Sequence, residues 1–344
     1  MRHSLSAALL AGSLAAVPAA PPDGPSLPPR LDSYLTQSIR LAATERGMLL
    51  SGKPVTKLLQ SDASKEVGVF GAVWIAASPH SYVTLVRDIE RFEQGDAFRV
   101  TKRISNPPRL EDFAALEIPD EDLVDLKDCK VGRCELKLGA NALELLRSQV
   151  KWDRPSTRAD VTALVRQLAL EYVNGYLDGG NEKLAVYRDK DRPTFVANEF
   201  RSMIGNLPPL DQHLPEMKRY LLEYPRVTLP DFTDFLYWQE TQFGLKSTIR
   251  ISHVVIQERA EQTVVASKML YASHYFWTAL ELRVLVPDAA RGPGFWFVTV
   301  SRSRSDGLSG FTGRVLRGRV QGEAVDGTLT ALTATKARLE ASGK

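Results

Sequence analysis

Only two cysteines and five histidines occur among the 344 residues, which leaves little material for thiol or soft-metal chemistry. The cysteines, Cys129 and Cys134, stand in "DCKVGRC" with no histidine nearby, so a tetrahedral zinc site built on them lacks its other ligands. Four intervening residues, where redox-active pairs usually have two, also argue against redox chemistry. A structural disulfide closing a tight turn is the reading that remains. Charge of one sign is scarce as well: 44 Lys and Arg against 41 Asp and Glu leave a net +3, which gives no reason to expect nucleic acid. The GxSxG elbow, the HExxH zinc helix and the Walker phosphate loop are all missing, so no motif names a reaction. No cofactor and no metal are expected.

Long apolar runs are missing too. The N-terminal stretch "MRHSLSAALLAGSLAAVPAA" has a basic start, an apolar stretch from Leu5 to Val17 and small residues before Ala19. That order is expected of a secretory signal peptide over 1–19, and the apolar stretch is too short to span a bilayer. "PPDGPSLPPR" continues as a proline-rich linker over 20–30 that a helix cannot enter. The expectation is a periplasmic or secreted protein that does not span a membrane. Peripheral contact with the cell envelope is left open.

What is present is an ordinary globular composition, 44% hydrophobic and 25% charged. A helix is predicted over 31–47 and a strand over 67–76. Ser78-Pro79 then opens a helix with Tyr82, Leu85, Val86 and Ile89 at helical spacing. A strand returns at Phe98–Ile104, with further strands expected around Asp125 and from Cys134 to Leu138. Region 139–228 reads as mainly helical. Its clearest element lies in "STRADVTALVRQLALEYVNGYLDGG", where Val161, Leu164, Val165, Leu168, Tyr172 and Tyr176 form one stripe. Four runs rich in β-branched and aromatic residues follow, "STIRISHVVIQER", "TVVASKMLYASHYF", "ALELRVLVP" and "GFWFVTVSRSRSD", which imply an antiparallel meander. A long helix ends the chain, and its glycines suggest that a sheet or ligand approaches the backbone closely.

A strand, then "IAASPHSYVTLVRDIERF", then antiparallel strands and one long C-terminal helix resembles the plan of the START-like, or SRPBCC, superfamily. The passage "AASPHSYVTLVRDIERFEQ" carries the likeness most directly, which covers roughly 67–138 and 245–341. "DFLYWQETQFGLKSTIRISHVVI" and "VSRSRSDGLSGFTGRVLRGRV" also look like a group of uncharacterised exported bacterial proteins. The resemblance implies an α+β helix-grip domain over 31–344, a curved antiparallel sheet around the C-terminal helix, interrupted by a helical insertion at about 139–228. It further implies an apolar cavity between sheet and helix. Members bind lipids, sterols or polyketides, and some catalyse cyclisation or hydroxylation. They share no catalytic motif, so no site residue carries over.

Candidate binding residues come from the chain itself. In "SKMLYASHYFWTALELRVLV" (267–286), alternation on one strand would place Tyr271, Tyr275 and Trp277 on one face and His274 on the other. Tyr and Trp offer large apolar area with one polar group, which suits an amphipathic ligand, although such residues also simply fill cores. Arg302 and Arg304 share a strand face and suit an anionic head group, or else pair with acidic residues of the insertion. Phe311 and Val315 of the last helix are expected to face the aromatic strand. The partner so implied is a hydrophobic or lipid-like small molecule. The alternative is an enzyme of the same fold that uses His253 and His274, placed close together across neighbouring strands, on a hydrophobic substrate.

Overall fold

The computed structural model describes residues 26–205, 207–243, 246–308 and 310–342. The expected signal peptide and the first part of the linker lie outside them. An N-terminal arm comprises α1 (Pro29–Ser33), a π-helical turn (Tyr34–Ile39) and α2 (Ala43–Leu50). Strands β1 (Val55–Leu58) and β2 (Glu66–Ile75) follow, then α3 (Pro79–Arg87), α4 (Ile89–Phe92) and β3 (Phe98–Ile104). The segment 105–231 is mainly helical. It holds α5 (Asp120–Lys127), α6 (Ala140–Gln149), α7 (Thr157–Gly179), the short strands β4 (Val186–Tyr187) and β5 (Thr194–Phe195), α8 (Val196–Gly205), α9 (Pro208–His213) and α10 (Pro215–Glu223). Five long strands, β6 (Phe232–Phe243), β7 (Lys246–Glu258), β8 (Thr263–Ala272), β9 (Phe276–Pro287) and β10 (Phe295–Ser305), lead into α11 (Gly310–Ser342).

The protein is α+β. All long strands join one antiparallel sheet in the order β1-β2-β10-β9-β8-β7-β6-β3, which stays open between its edge strands β1 and β3. The meander predicted from the last strands is present, with β6 added at its start. α3 forms as its sequence indicates: Ser78 accepts a hydrogen bond from the Ser81 backbone, Pro79 occupies the first turn, and Tyr82, Val83 and Val86 are buried.

Each side of the sheet carries its own layer. On one side α3, α4 and α11 meet Val73, Ile75, Phe297, Leu285 and Val265. On the other, the arm and α8 to α10 meet Phe70, Trp74, Trp296, Val298 and Leu282. A third cluster joins α5 to α8 with Leu236, Trp238, Ile251 and Leu270. Burial on both faces explains why β2 is buried at all ten positions and reads as a nearly continuous apolar run.

Several local expectations are corrected. The strand expected around Asp125 is helix α5, because Asp120, Glu121 and Asp122 open a helix favourably and Leu126 buries one side. Residues 134–138 are not a strand of the sheet. Their backbone is held by bonds from Cys134 to the Asp189 carbonyl, from Lys137 to the Ser273 carbonyl, and from Arg188 to the Leu138 carbonyl. The run 267–277 is not one strand either: β8 ends at Ala272 and Tyr275 turns the chain at φ 59°. A register shift where β7 passes Ile251 and Ser252 also lets Leu270 and Tyr271 both pack with the helical segment, which strict alternation forbids.

Three glycines of α11 meet nothing, for a Cβ added at Gly318, Gly322 or Gly327 would touch nothing within 4 Å. One at Gly313 would meet the Leu308 carbonyl carbon at 2.5 Å, not the sheet. The close approach is made by Gly71 on β2. A Cβ there would sit 2.8 Å from both Leu332 Cδ1 and Thr328 Cγ2 of α11. Gly71→Ala is therefore expected to destabilise the fold by about 1–3 kcal/mol through overpacking. An unchanged urea midpoint for this variant would contradict the described seat of α11.

Candidate ligand-binding site

A cavity of about 1250 Å³ lies between the sheet, the N-terminal arm and α9. Its floor is aliphatic, made by Leu282, Val284 and Val286 of β9 and by Val298 and Val300 of β10. These residues are cross-strand neighbours, Val300 beside Leu282 and Val298 beside Val284, so they form a continuous trough. Leu31, Tyr34 and Ile39 of the arm and Leu207, Leu210 and Leu214 around α9 close it from above, with Arg30, Lys57, Gln60 and Glu261 among the polar lining groups. The cavity does not lie between sheet and α11. Val298 and Val300 pair with Ala72 and Phe70 of β2, whereas α11 meets the alternate residue Gly71 on the other face.

One end of the trough is charged. Arg302 Nη1 donates to Glu66 Oε1 at 2.5 Å and Nη2 to the Gln60 carbonyl at 3.1 Å. Arg304 donates through Nε to Glu66 Oε2 at 2.9 Å and through Nη1 to Glu199 of α8 at 2.9 Å, so Glu66 serves two guanidiniums. All three of these side chains are buried, Arg302 being the most exposed at 8%. The Nε of Arg302 is also buried and has no partner among the described residues. Tyr34 lies close by, its ring edge-on to Phe70 at 6.3 Å and to His213 at 5.5 Å. Burial raises the pKa of its hydroxyl, and the Arg302 charge opposes that rise. His213 is pushed down, first by burial and then by Arg30.

Beside the cavity, under α10, runs a chain of polar groups, buried except for Asp234 at its outer end. Asp234 of β6 accepts from His253 Nε2 at 3.0 Å and from the Tyr220 hydroxyl at 3.1 Å. A carboxylate only accepts, so His253 carries its hydrogen on Nε2 and its Nδ1 accepts from the Tyr176 hydroxyl at 2.9 Å. Lys268 of β8, paired with His253 across the strands, donates to Asn181 Oδ1 and stands 3.4 Å from the Tyr176 hydroxyl. Asn181 Nδ2 in turn donates to the carbonyls of Leu221 and Leu222 in α10. Gly180 makes this junction possible: it sits at φ +58°, and a Cβ there would fall 1.7 Å from the Tyr224 carbonyl oxygen.

These groups titrate abnormally. Complete burial lowers the Lys268 pKa to about 7. Burial also lowers that of His253, against the opposing pull of Asp234. For Asp234 burial acts upward, but its hydrogen bond and charge interaction with His253 prevail and hold the carboxyl below its ordinary value.

The residues picked out from sequence are scattered. Cys129 and Cys134 are joined in a disulfide around the turn at Gly132. Tyr271 packs against Tyr172 and Tyr187 of the helical segment, each at 6.1 Å, and Trp277 is half-buried in the same cluster. His274 binds the buried Asp122 of α5 at 2.8 Å, and the Tyr275 hydroxyl accepts from the Lys246 backbone. None of these four lines the cavity; Arg302 does. Arg304 is held in the ion network, and its bond to Glu199 is the pairing with the insertion considered above. His253 and His274 do not converge, since His253 pairs with Lys268, six residues before His274. The side chain of Phe311 lies outside the described structure.

Val315 is a correction: it is 71% exposed. It precedes Val325 by ten residues, about 80° around the helix, and so falls off the stripe that Val325, Leu332 and Leu339 bury. Sequence reading missed Tyr34, Glu66, Asp234 and Lys268. A usable signal existed for Lys268, because alternation in "TVVASKMLYA" puts it on the same face as Val264 and Ala266.

Among the described residues no helix is long and apolar enough to cross a membrane, and no group of His, Cys, Asp and Glu has the arrangement of a metal site. The disulfide is compatible with an exported protein. Comparison with known proteins finds no family model that matches the chain and no curated protein similar to it.

Proposed function

We propose that this is an exported protein of START-like plan that binds or carries a hydrophobic or amphipathic small molecule. The observation that carries the reading is the aliphatic trough of about 1250 Å³ with a polar end, larger than the 300–1,000 Å³ of common small-molecule pockets. The START-like part of the reading draws support from topology. The strands run β2-β10-β9-β8-β7-β6-β3, with α3 and α4 after the first of them in sequence and α11 after the last. The helical segment then falls between β3 and β6 and, with the arm, covers the face that bears the trough. Binding is favoured over catalysis because neither His253 nor His274 lines the cavity.

Mass spectrometry of solvent extracts from the purified protein is expected to find a co-purifying aliphatic compound. Val284→Trp fills the trough with apolar volume and should reduce its retention about tenfold or more, while the thermal melt shows an intact fold. Undiminished retention of the same compound by folded Val284→Trp would exclude the trough as its site.

A further inference from the structure

We infer that the end of the trough at Tyr34 and Arg302 is an anion subsite, and that the ligand is a single aliphatic chain bearing a carboxylate or phosphate head. This rests on the cavity reading above and adds the chemical class of the ligand. Arg302 gives one hydrogen of Nη1 to Glu66 and one of Nη2 to Gln60, which leaves one N–H on each, and its buried Nε has no partner among the described residues. A buried donor left unpaired is costly, and cationic donors most of all. Tyr34 lines the same cavity, and its hydroxyl makes no hydrogen bond among the described residues. Tyr34 packs on Phe70 of β2, whose cross-strand partner Val300 stands two residues before Arg302 on the same strand face.

Charge balance points the same way. Lys65, Arg302 and Arg304 share two carboxylates, Glu66 and Glu199, leaving one positive charge in excess within this network. Asp62 is also near, but its carboxylate is taken by Ser64 and stands largely in water, where its field is screened. A ligand anion accepting from the remaining Nη hydrogens of Arg302 and from the Tyr34 hydroxyl would satisfy these donors and cancel the excess charge.

The tail follows from strand geometry. From Arg302 the floor passes Val300 and Leu282, then Val298 and Val284, to the level of Val286, which pairs with Trp296. Six residues of strand make a path of about 20 Å, the scale of an extended acyl chain.

The test is calorimetric titration with oleic acid, 1-oleoyl lysophosphatidic acid and oleyl alcohol, which share a tail and differ in the head. The wild-type protein is expected to bind at least one of the anions about tenfold or more tightly than the alcohol, the scale of a charge-assisted hydrogen bond. The better anion identifies the head group as carboxylate or phosphate. Tyr34→Phe should reduce this preference several-fold, and Arg302→Lys, which keeps the charge beside Glu66 but loses the guanidinium fork of donors, should do the same. Alcohol affinity should stay within about twofold, since the trough is untouched. If Arg302→Lys fails to fold, Tyr34→Phe alone decides. Equal binding of alcohol and anions, or a preference that survives in the folded variants, overturns the anion subsite while leaving the cavity reading in place. Failure of all three to bind overturns both.

Discussion

Glu66→Ala should destabilise the protein by about 3–5 kcal/mol, read as a fall in the urea midpoint at constant slope. The loss exceeds that of an ordinary salt bridge because Glu66 is 1% exposed and neutralises Arg302 and Arg304 together. Removing it strands two guanidiniums below the surface, with only Glu199 left to one of them. Neither can escape by deprotonation, since arginine stays charged. Glu66→Gln should sit between wild type and Glu66→Ala, because the amide oxygen still accepts but brings no charge. A companion experiment separates the cost of stranded charge from that of lost volume. Glu66→Met combined with Arg302→Met and Arg304→Met replaces the network with apolar groups of similar size, and should recover much of the stability lost in Glu66→Ala. A Glu66→Ala midpoint within error of wild type would mean that these arginines reach water and are not the buried network described.

Lys268→Met should abolish a pH dependence expected of the wild-type protein above neutrality. The Lys268 pKa falls from 10.5 in the unfolded chain to about 7 in the fold. Between those values the unfolded state holds a proton that the folded state has released. Wild-type stability therefore rises as pH increases from about 7 towards 10.5, and is lost again as pH falls back to 7. The full excursion has an upper limit of roughly 4–5 kcal/mol, and about half of it lies within a practical range of pH 7 to 9. Below pH 7 both states carry the proton and this contribution becomes constant. In Lys268→Met the term vanishes and the stability curve over this range should flatten. At pH 7 the variant gains by losing a buried charge and loses the donor to Asn181 Oδ1, so the slope is the cleaner readout. Equal slopes in wild type and variant would show that Lys268 is not held neutral by burial.

Much of the fold was legible in the sequence because it rests on local chemistry. Ser78-Pro79 is a cap and a first turn whatever surrounds it, so α3 was placed correctly. β3 has the predicted bounds, and α7 forms where predicted, burying Val161 and Tyr176 of the expected stripe together with Thr162 and Val173. The pairing of Cys129 with Cys134 needed only their spacing and a tight turn. The errors share another origin. "EDLVDLKDC" and "CELKL" offered short mixed patterns in which period alone does not separate helix from strand, and their contacts with distant chain decided the outcome. The turn at Tyr275 interrupts a run with no glycine or proline to mark it.

The candidate site was less legible for the same reason. Composition and alternation establish that Arg302 and Arg304 share a face and that β9 and β10 bear aliphatic residues, since a strand presents every second side chain to one side. Which face would be lined by helices, and which part left hollow, is not a property of period two. It depends on how the arm and α9 bridge over the sheet, and those segments come from positions far apart in the chain. Nor does sequence reveal that Glu66 meets Arg302 and Arg304, more than 230 residues away, because antiparallel pairing of the first long strand with the last creates that contact. Local patterns specify elements through interactions within a few residues. Burial, cavity shape and shifted pKa values arise from the low-dielectric surroundings that only the assembled layers provide.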